Sequence, residues 1–73
     1  MKHFKTWFQK KLDATGKTRV EVYKDIGMSR SQLSNYLTER RTPDHEVIKT
    51  FINYFSKSKA SKKRDLFFLY YGE

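Results

Sequence analysis

The sequence contains no cysteine and only two histidines, and these shortages limit the chemistry open to the chain. Without cysteine, disulfides and thiolate metal sites are excluded. His3 and His45 lie far apart in the sequence, and neither has a motif partner for catalysis or metal binding. No glycine-rich phosphate loop and no paired-carboxylate motif is present. The sequence therefore predicts a protein that is not an enzyme, with no metal, cofactor or small-molecule ligand.

Long apolar runs are also missing from the sequence. No stretch approaches the roughly 18 consecutive apolar residues that a membrane span requires. The first residues, MKHFKTWFQKKLD, lack the apolar core of a secretory signal. Because a chain without cysteine is also typical of a reducing compartment, the sequence predicts a cytoplasmic protein without a membrane partner.

Acidic residues are scarce relative to basic ones. Eight Asp and Glu stand against sixteen Lys and Arg, which gives a formal net charge of +8 over 73 residues. Such a charge favours polyanionic partners, nucleic acid before anionic membrane. Solubility alone is the alternative explanation, since many small domains are basic without binding DNA. A chain of this length forms one domain, residues 1–73, which buries only about 60% of its unfolded surface.

Proline and glycine are rare as well, at one and three residues, so helices can run without interruption. Apolar residues at helical spacing predict helices over about 3–14, from 19 to Gly27, from 29 to about 37, and over about 43–55. The predicted fold is therefore all-α, a compact bundle of four to five short helices. The expected core positions are Phe4, Trp7, Phe8, Leu12, Val22, Tyr23, Ile26, Leu33, Tyr36, Leu37, Val47, Ile48, Phe51, Ile52 and Phe55.

Local signals mark where these helices begin and end. Gly16 is expected to close the first helix in the left-handed conformation. Thr18 with Glu21, and Ser29 with Gln32, match the capping box and predict the starts of the second and third helices. Thr42-Pro43 predicts the start of the fourth helix, with Thr as the cap and Pro at the first helical position.

The C-terminal segment 56–73 is harder to assign, because LFFLYY at residues 66–71 fits both a helix and a buried strand. We favour a fifth helix over about 59–71, with Leu66, Leu69 and Tyr70 facing inward. The lysines and arginine of SKSKASKKR are then a solvated face. Three aromatic residues cannot easily all be buried in so small a monomer, and exposed aromatics favour a subunit interface. The segment is therefore predicted to mediate dimerisation through Phe67, Phe68 and Tyr71.

Residues 19–38, RVEVYKDIGMSRSQLSNYLT, predict a helix-turn-helix, with two short helices joined at Gly27-Met28. Apolar residues on both helices are spaced to pin the second helix across the first. The outer face of the second helix keeps small or polar side chains that packing does not require. These side chains suit base edges and phosphates, and they are Ser29, Arg30, Ser31, Ser34, Asn35 and Thr38.

Residues 4–55 resemble the lambda-repressor-like family of helix-turn-helix proteins (Cro, phage repressor and XRE type). The shared features are a leading amphipathic helix, the motif RVEVYKDIGMSRSQLSNYL with its internal glycine, and the basic stretch RRTP before the fourth helix. The resemblance implies a sequence-specific transcriptional regulator of the Cro-like repressor type, of bacterial or phage origin. Such a protein binds double-stranded DNA as a homodimer, with its third helix in the major groove.

The resemblance also assigns roles to individual residues. It implies base contacts for Arg30 and Ser31 and, one turn later, for Ser34 and Asn35. It places Arg19 at a phosphate anchor, and Ser29 is a helix cap first and a phosphate contact second. The remaining contacts to the DNA backbone are implied for Thr38, Arg40 and Arg41.

This sequence departs from the family pattern at four places. Arg19 and Arg30 stand where glutamine is common, Tyr23 stands where a small alanine is usual, and Glu39 stands where a glycine often ends the recognition helix. An arginine can pair with guanine N7 and O6, whereas glutamine suits adenine. The departures therefore imply a changed base preference and an altered approach of the two helices.

Two other functions remain open at this point. A protein-interaction module of the antitoxin or antirepressor type could use the same fold, with LFFLYY as its docking surface. A basic amphipathic membrane binder could use Trp7 and Phe8 together with Lys10 and Lys11, although capping boxes around a packed pair of helices argue against it.

Overall fold

The computed structural model describes residues 3–72, and within that span the chain forms five α-helices and no strand. The helices are α1 (Phe4–Thr15), α2 (Arg19–Ile26), α3 (Arg30–Leu37), α4 (His45–Phe55) and α5 (Lys59–Tyr71). The predicted all-helical class is confirmed, and LFFLYY is helical rather than a strand. Residues 1, 2 and 73 of the predicted domain lie outside the described residues.

The local signals place the first three helices as expected. Gly16 closes α1 with a φ of 70°, and Gly27 closes α2 with a φ of 85°, so both use the left-handed region that glycine enters without a steric cost. Thr18 accepts a hydrogen bond from the backbone N–H of Glu21 at 3.2 Å. Because the Glu21 carboxylate in turn accepts from the backbone N–H of Thr18, the capping box is complete.

The predicted start of the fourth helix is wrong. Helix α4 begins at His45 with Asp44 as its cap, and the Asp44 carboxylate accepts from the backbone N–H of Val47 at 2.9 Å. Aspartate is a slightly better cap than threonine, which explains why the helix starts after Pro43 rather than at it. Pro43 is instead buried in the connection before the helix.

An aromatic core between α1 and α4 holds the bundle together. Phe4 packs edge-to-face on Phe51, with ring centroids 5.1 Å apart, and Phe8 approaches the same ring at 5.8 Å. Trp7 packs perpendicular to Phe55 at 5.6 Å. Edge-to-face pairs of this kind add to the stabilisation from buried area. Helices α2 and α3 contribute Val22, Leu33 and Leu37 to the same core.

Helix α5 packs against α1 and α4, but its inward face differs from the prediction. Leu69 is buried and Leu66 is half-buried, whereas Tyr70 is 45% exposed. The position one turn before Leu69 is Asp65, which is only 8% exposed. Asp65 turns inward because Lys11 of α1 lies 3.0 Å from its carboxylate and the buried Ser56 hydroxyl donates to it.

The length of the helices and the burial of α1 side chains also bear on the membrane hypothesis. No helix within residues 3–72 is long and apolar enough to cross a bilayer. Trp7 and Phe8, the two side chains suggested for membrane insertion, are buried in the core. In this fold they are therefore not available to a lipid surface.

Candidate functional site

The candidate site is centred on the outer face of α3. Leu33 and Leu37 bury the inner face of this helix, which fixes its orientation on the core. Arg30, Ser31 and Ser34 are exposed on the other side. The predicted base-contacting residues on α3 are therefore accessible, with the exception that Asn35 is half-buried.

The first turn of α3 is held by the second capping box. The Ser29 hydroxyl oxygen accepts from the backbone N–H of Gln32 at 3.1 Å, and the Gln32 side chain accepts from the backbone N–H of Ser29 at 2.9 Å. This confirms Ser29 as a helix cap. A serine hydroxyl has one hydrogen to donate besides the oxygen that accepts, so Ser29 can cap the helix and still donate to an anion.

A shallow groove of about 450 Å³ separates the exposed faces of α2 and α3. Arg19 and Arg30 both line it, which brings the first residue of each helix to one depression. Apolar side chains and the half-buried Tyr23 make up most of its wall. The full lining is Arg19, Val20, Tyr23, Arg30, Leu33, Ser34 and Leu37.

Val20 and Tyr23 are groove residues that the sequence prediction missed. Val20 is an exposed apolar residue in the first turn of α2, and Tyr23 was assigned to the core alone. The one available signal was that Val20 lies off the helical stripe formed by Val22 and Ile26.

The chain that follows α3 turns back toward the last turn of that helix. Glu39 is the one described non-glycine residue with a positive φ, at 64°. After it, the backbone N–H of Arg41 donates to the carbonyl of Asn35 at 3.2 Å. Arg40 and Arg41 are both exposed in this turn. The left-handed residue therefore sets the backbone of Arg41 beside the turn of α3 that holds Asn35.

Thr38 ends α3 and has less hydrogen-bonding capacity than expected. Its hydroxyl donates to the carbonyl of Ser34 at 2.8 Å, so the hydroxyl hydrogen is already used. A phosphate oxygen can only accept a hydrogen bond, so it has no donor in this hydroxyl as it is placed here. The structure thus gives Thr38 a capping role, and a role in DNA contact requires its hydroxyl to rotate.

Helix α3 itself carries charge of one sign only. Helix α3 carries Arg30 and no carboxylate. Within residues 3–72, the one ion pair closer than 4.0 Å joins Lys11 of α1 to Asp65 of α5. The four predicted arginine contacts are therefore free of carboxylate partners among the described residues. An external anion meets no competing internal partner at any of them.

A polar cluster behind the site ties α2 to the core helices. The Tyr54 hydroxyl of α4 donates to the Asp25 carboxylate of α2 at 2.5 Å. The Lys17 ammonium lies 5.5 Å from the centre of the Tyr54 ring. The hydrogen bond to Asp25, with some burial, raises the pKa of Tyr54, and the hydrogen bond to Tyr54 raises the pKa of Lys17. This cluster braces α2 against α4.

The two histidines lie elsewhere in the fold. His45 Nδ1 is 3.2 Å from the hydroxyl of Tyr70, and the His3 ring packs near Phe68 at 5.8 Å. In the part of the chain from 3 to 72, no group of three or more His, Cys, Asp or Glu side chains is placed to hold a metal ion. The two rings instead contact the last turns of α5.

Comparisons with known proteins find no match for this chain among protein-family models, among curated proteins or among solved structures.

Proposed function

We propose that the chain is a sequence-specific, double-stranded DNA-binding transcriptional regulator, a Cro-like repressor in kind. In this proposal α2 and α3 form a lambda-repressor-like helix-turn-helix, and α3 enters the major groove. The observation that carries the proposal is the outer face of α3, which is accessible, polar, cationic and free of carboxylates. The packing of the bundle accounts for Leu33 and Leu37 but leaves Arg30, Ser31 and Ser34 without a structural task.

The proposed contacts divide into two classes. Arg30, Ser31, Ser34 and Asn35 would read base edges, with Arg30 pairing to guanine N7 and O6. The DNA backbone would be held by the residues at the edges of α3, because phosphate contacts position a protein without reading sequence. These residues are Arg19, Ser29, Thr38, Arg40 and Arg41.

The size of the molecule is compatible with a homodimer on a two-fold-related operator. The described chain measures 30 × 23 × 21 Å. Half-sites bound by such dimers are separated by one helical turn, about 34–36 Å. The longest dimension of the chain is thus of the same order as the half-site spacing that such a dimer must span. The proposed setting is the bacterial cytoplasm, with the protein bound to the nucleoid or to phage DNA.

Selection of bound duplexes from a randomised pool tests the proposal. We expect an enriched, two-fold-related site, with affinity well above that for random DNA at physiological salt. Enrichment of a single half-site would refute binding as a homodimer but would support sequence-specific recognition of DNA. Equal affinity for every duplex would leave only the electrostatic attraction of a basic protein and would refute sequence-specific regulation.

A protein-interaction module of the antitoxin or antirepressor type is the second candidate. Exposed aromatic residues on α5, which DNA recognition by α3 leaves unused, are the observation in its favour. This function predicts a complex with another protein that still forms after alanine replacement of Arg30, Ser31 and Asn35.

A further inference from the structure

Helix α5 presents an aromatic surface to solvent. Phe67 is 53% exposed and Tyr71 is 69% exposed, and their rings lie one turn apart with centroids at 4.7 Å. A shallow groove of about 370 Å³ adjoins Phe67 and is lined by Ala60, Lys63 and Arg64. We refer to Phe67, Tyr71, Lys63 and Arg64 as the α5 face.

A second groove, of about 300 Å³, continues this surface from α5 onto α1. Arg64 lines both grooves, so the two depressions lie on either side of one guanidinium group. The apolar walls of the second groove include Trp7, Ala14 and Phe68, and the Lys10 ammonium lies 5.2 Å from the centre of the Phe68 ring. The α5 face and the second groove together therefore form an aromatic surface with apolar depressions and a rim of cations. Asp65 also lines the second groove, where it is paired with Lys11.

The cations of this rim have no carboxylate partner among the described residues. Asp65 is the one carboxylate of α5, and it is buried and engaged by Lys11 and Ser56. Lys10, Lys63 and Arg64 form no ion pair within 4.0 Å among residues 3–72. Exposed apolar surface with a cationic rim is complementary to a segment that carries apolar anchors and carboxylates.

We propose that the α5 face is a docking site for an acidic amphipathic segment of another protein. An apolar side chain of the partner packs on Phe67 and Tyr71, and carboxylates beside it pair with Lys63, Arg64 and Lys10. Helix α5 contacts α1 and α4, whereas the candidate DNA site lies on α2 and α3. The partner can therefore dock while DNA occupies α3. This role is separate from DNA binding, and it gives a partner class to the α5 aromatics that favour the second candidate function.

This assignment replaces the predicted dimer interface at Phe67, Phe68 and Tyr71. Phe68 is half-buried against α1 and the His3 ring, so it has little surface to offer. Two copies joined by this face would bring the unpaired cations of one copy toward those of the other, and like charges facing each other are unfavourable. A partner with carboxylates meets no such repulsion.

Single-stranded nucleic acid is the other polyanion to consider for a surface with aromatic residues. Stacked bases need open aromatic faces. The Phe67 and Tyr71 rings are tilted at 45° to one another and lie in contact, so each covers part of the other. The apolar depressions beside them suit protein side chains better than flat bases.

A designed peptide serves as the probe, because the partner is defined here by its chemistry. The probe is a fluorescein-labelled helical peptide with leucine and phenylalanine on one face and glutamate on the other. Its control has lysine in place of every glutamate. By fluorescence anisotropy at physiological salt, we expect the acidic peptide to bind and the lysine peptide not to bind.

Two double variants locate the binding surface. Phe67→Ser/Tyr71→Ser is expected to weaken binding of the acidic peptide by about tenfold or more, since aromatic anchors dominate such interfaces. Lys63→Glu/Arg64→Glu is expected to weaken it as well and to begin binding the lysine peptide. Arg30→Ala is the matched control on the other face, and it should bind the acidic peptide as the parent chain does. Thermal melts check that each variant is folded.

Three results would overturn the proposal. In the first, the acidic peptide binds all variants equally, or loses binding with Arg30→Ala, which would place it on the candidate DNA site. In the second, the parent chain is a dimer by light scattering and Phe67→Ser/Tyr71→Ser is a monomer, which would assign the face to a second copy. In the third, oligothymidine displaces the peptide and loses affinity with Phe67→Ser/Tyr71→Ser.

Duplex binding measured on the same variants keeps the two proposals separate. Phe67→Ser/Tyr71→Ser should bind the selected duplex with unchanged affinity, while Arg30→Ala should bind it more weakly. If the duplex selection fails but the peptide results hold, the docking site stands without the DNA-binding function. If the peptide results fail but the selection succeeds, only the docking site is lost.

Discussion

Arg30 is the first residue of α3, and its exposed side chain lines the groove shared with α2. Replacing Arg30 with alanine should cost about 1–3 kcal/mol of binding free energy on the selected duplex and relax the preference at one base pair. The physical reason is that the variant lacks the bidentate pair with guanine that we propose for Arg30. Titrations on the selected duplex and on its single-base variants measure both effects.

Lys24→Ala is the matched control for Arg30→Ala. Lys24 is an exposed cation of α2 that lies outside the groove lining, so its loss should change affinity for specific and random DNA by the same small amount. If Arg30→Ala behaves like Lys24→Ala, with an equal loss on every duplex, Arg30 is a phosphate contact and reads no base.

Glu39 follows α3 in a left-handed conformation that favours glycine, with a φ of 64°. Holding an L-residue there costs roughly 1–2 kcal/mol. Glycine removes this cost but loses more backbone freedom on folding, roughly 0.5–1 kcal/mol. We therefore expect Glu39→Gly to raise the free energy of unfolding by about 0.5–1 kcal/mol.

Urea denaturation of Glu39→Gly beside Glu39→Ala measures this effect. The alanine variant removes the same charge but keeps the left-handed backbone, so it should not gain stability. Equal unfolding free energies for the two variants would show that the charge, and not the backbone conformation, sets the cost at this position.

At the scale of secondary-structure elements, Asp65 joins α5 to α1. Asp65→Ala leaves the buried Ser56 hydroxyl and the Lys11 ammonium without their partner. Loss of a partner for buried polar groups costs about 1–3 kcal/mol, so the free energy of unfolding should fall by that amount. Asp13→Ala, at an exposed carboxylate of α1, should change it by less than about 0.5 kcal/mol. Similar urea midpoints for the two variants would contradict a structural role for Asp65.

The Tyr54–Asp25 hydrogen bond, which joins α4 to α2, gives stability a dependence on alkaline pH. The pKa of Tyr54 is raised above its ordinary value of 10.0, and the pKa of Lys17 is raised above 10.5. A raised pKa in the folded state stabilises the fold below the ordinary pKa, and this stabilisation is lost as pH rises through the folded value. We therefore expect stability to fall above about pH 10.

Tyr54→Phe tests this dependence, because phenylalanine keeps the ring and removes the titrating hydroxyl. The variant should be less stable than the parent at neutral pH, and the difference should shrink as pH rises above 10.0. Urea unfolding at neutral and alkaline pH measures it. A difference that stays constant over this range would show that the hydrogen bond to Asp25 has no part in the alkaline loss.

At the scale of the whole molecule, the net charge of +8 means that the proposed DNA binding should depend on salt. Each phosphate contact releases about one counterion, so removal of one contacting arginine should reduce the slope of log affinity against log salt by about 1. Arg41→Ala should show this reduction on specific and random duplexes alike. Lys49→Ala, at an exposed residue of α4, should leave the slope nearly unchanged. An unaltered slope for Arg41→Ala would remove Arg41 from the interface.

The sequence by itself determined the all-helical class, four of the five helices and most of their ends, and it favoured a helix over a strand for the fifth. Capping boxes, terminal glycines and apolar spacing are local signals that act within a few residues, so they can be read without the fold. The same is true of the exposed polar face of α3, because Arg30, Ser31 and Ser34 lie off its apolar stripe. The one wrong helix start, at Thr42-Pro43, arose where two caps competed within a few residues and Asp44 prevailed.

Only the tertiary structure decided which distant residues meet. The inward turn of Asp65, the exposure of Tyr70 and the Tyr54–Asp25 bond depend on partners on other helices, as does the groove between Arg19 and Arg30. No local spacing encodes these pairings, because a side chain turns inward when a complementary group from elsewhere satisfies it. For this reason the run LFFLYY could be predicted as a helix, while its buried and exposed faces could not.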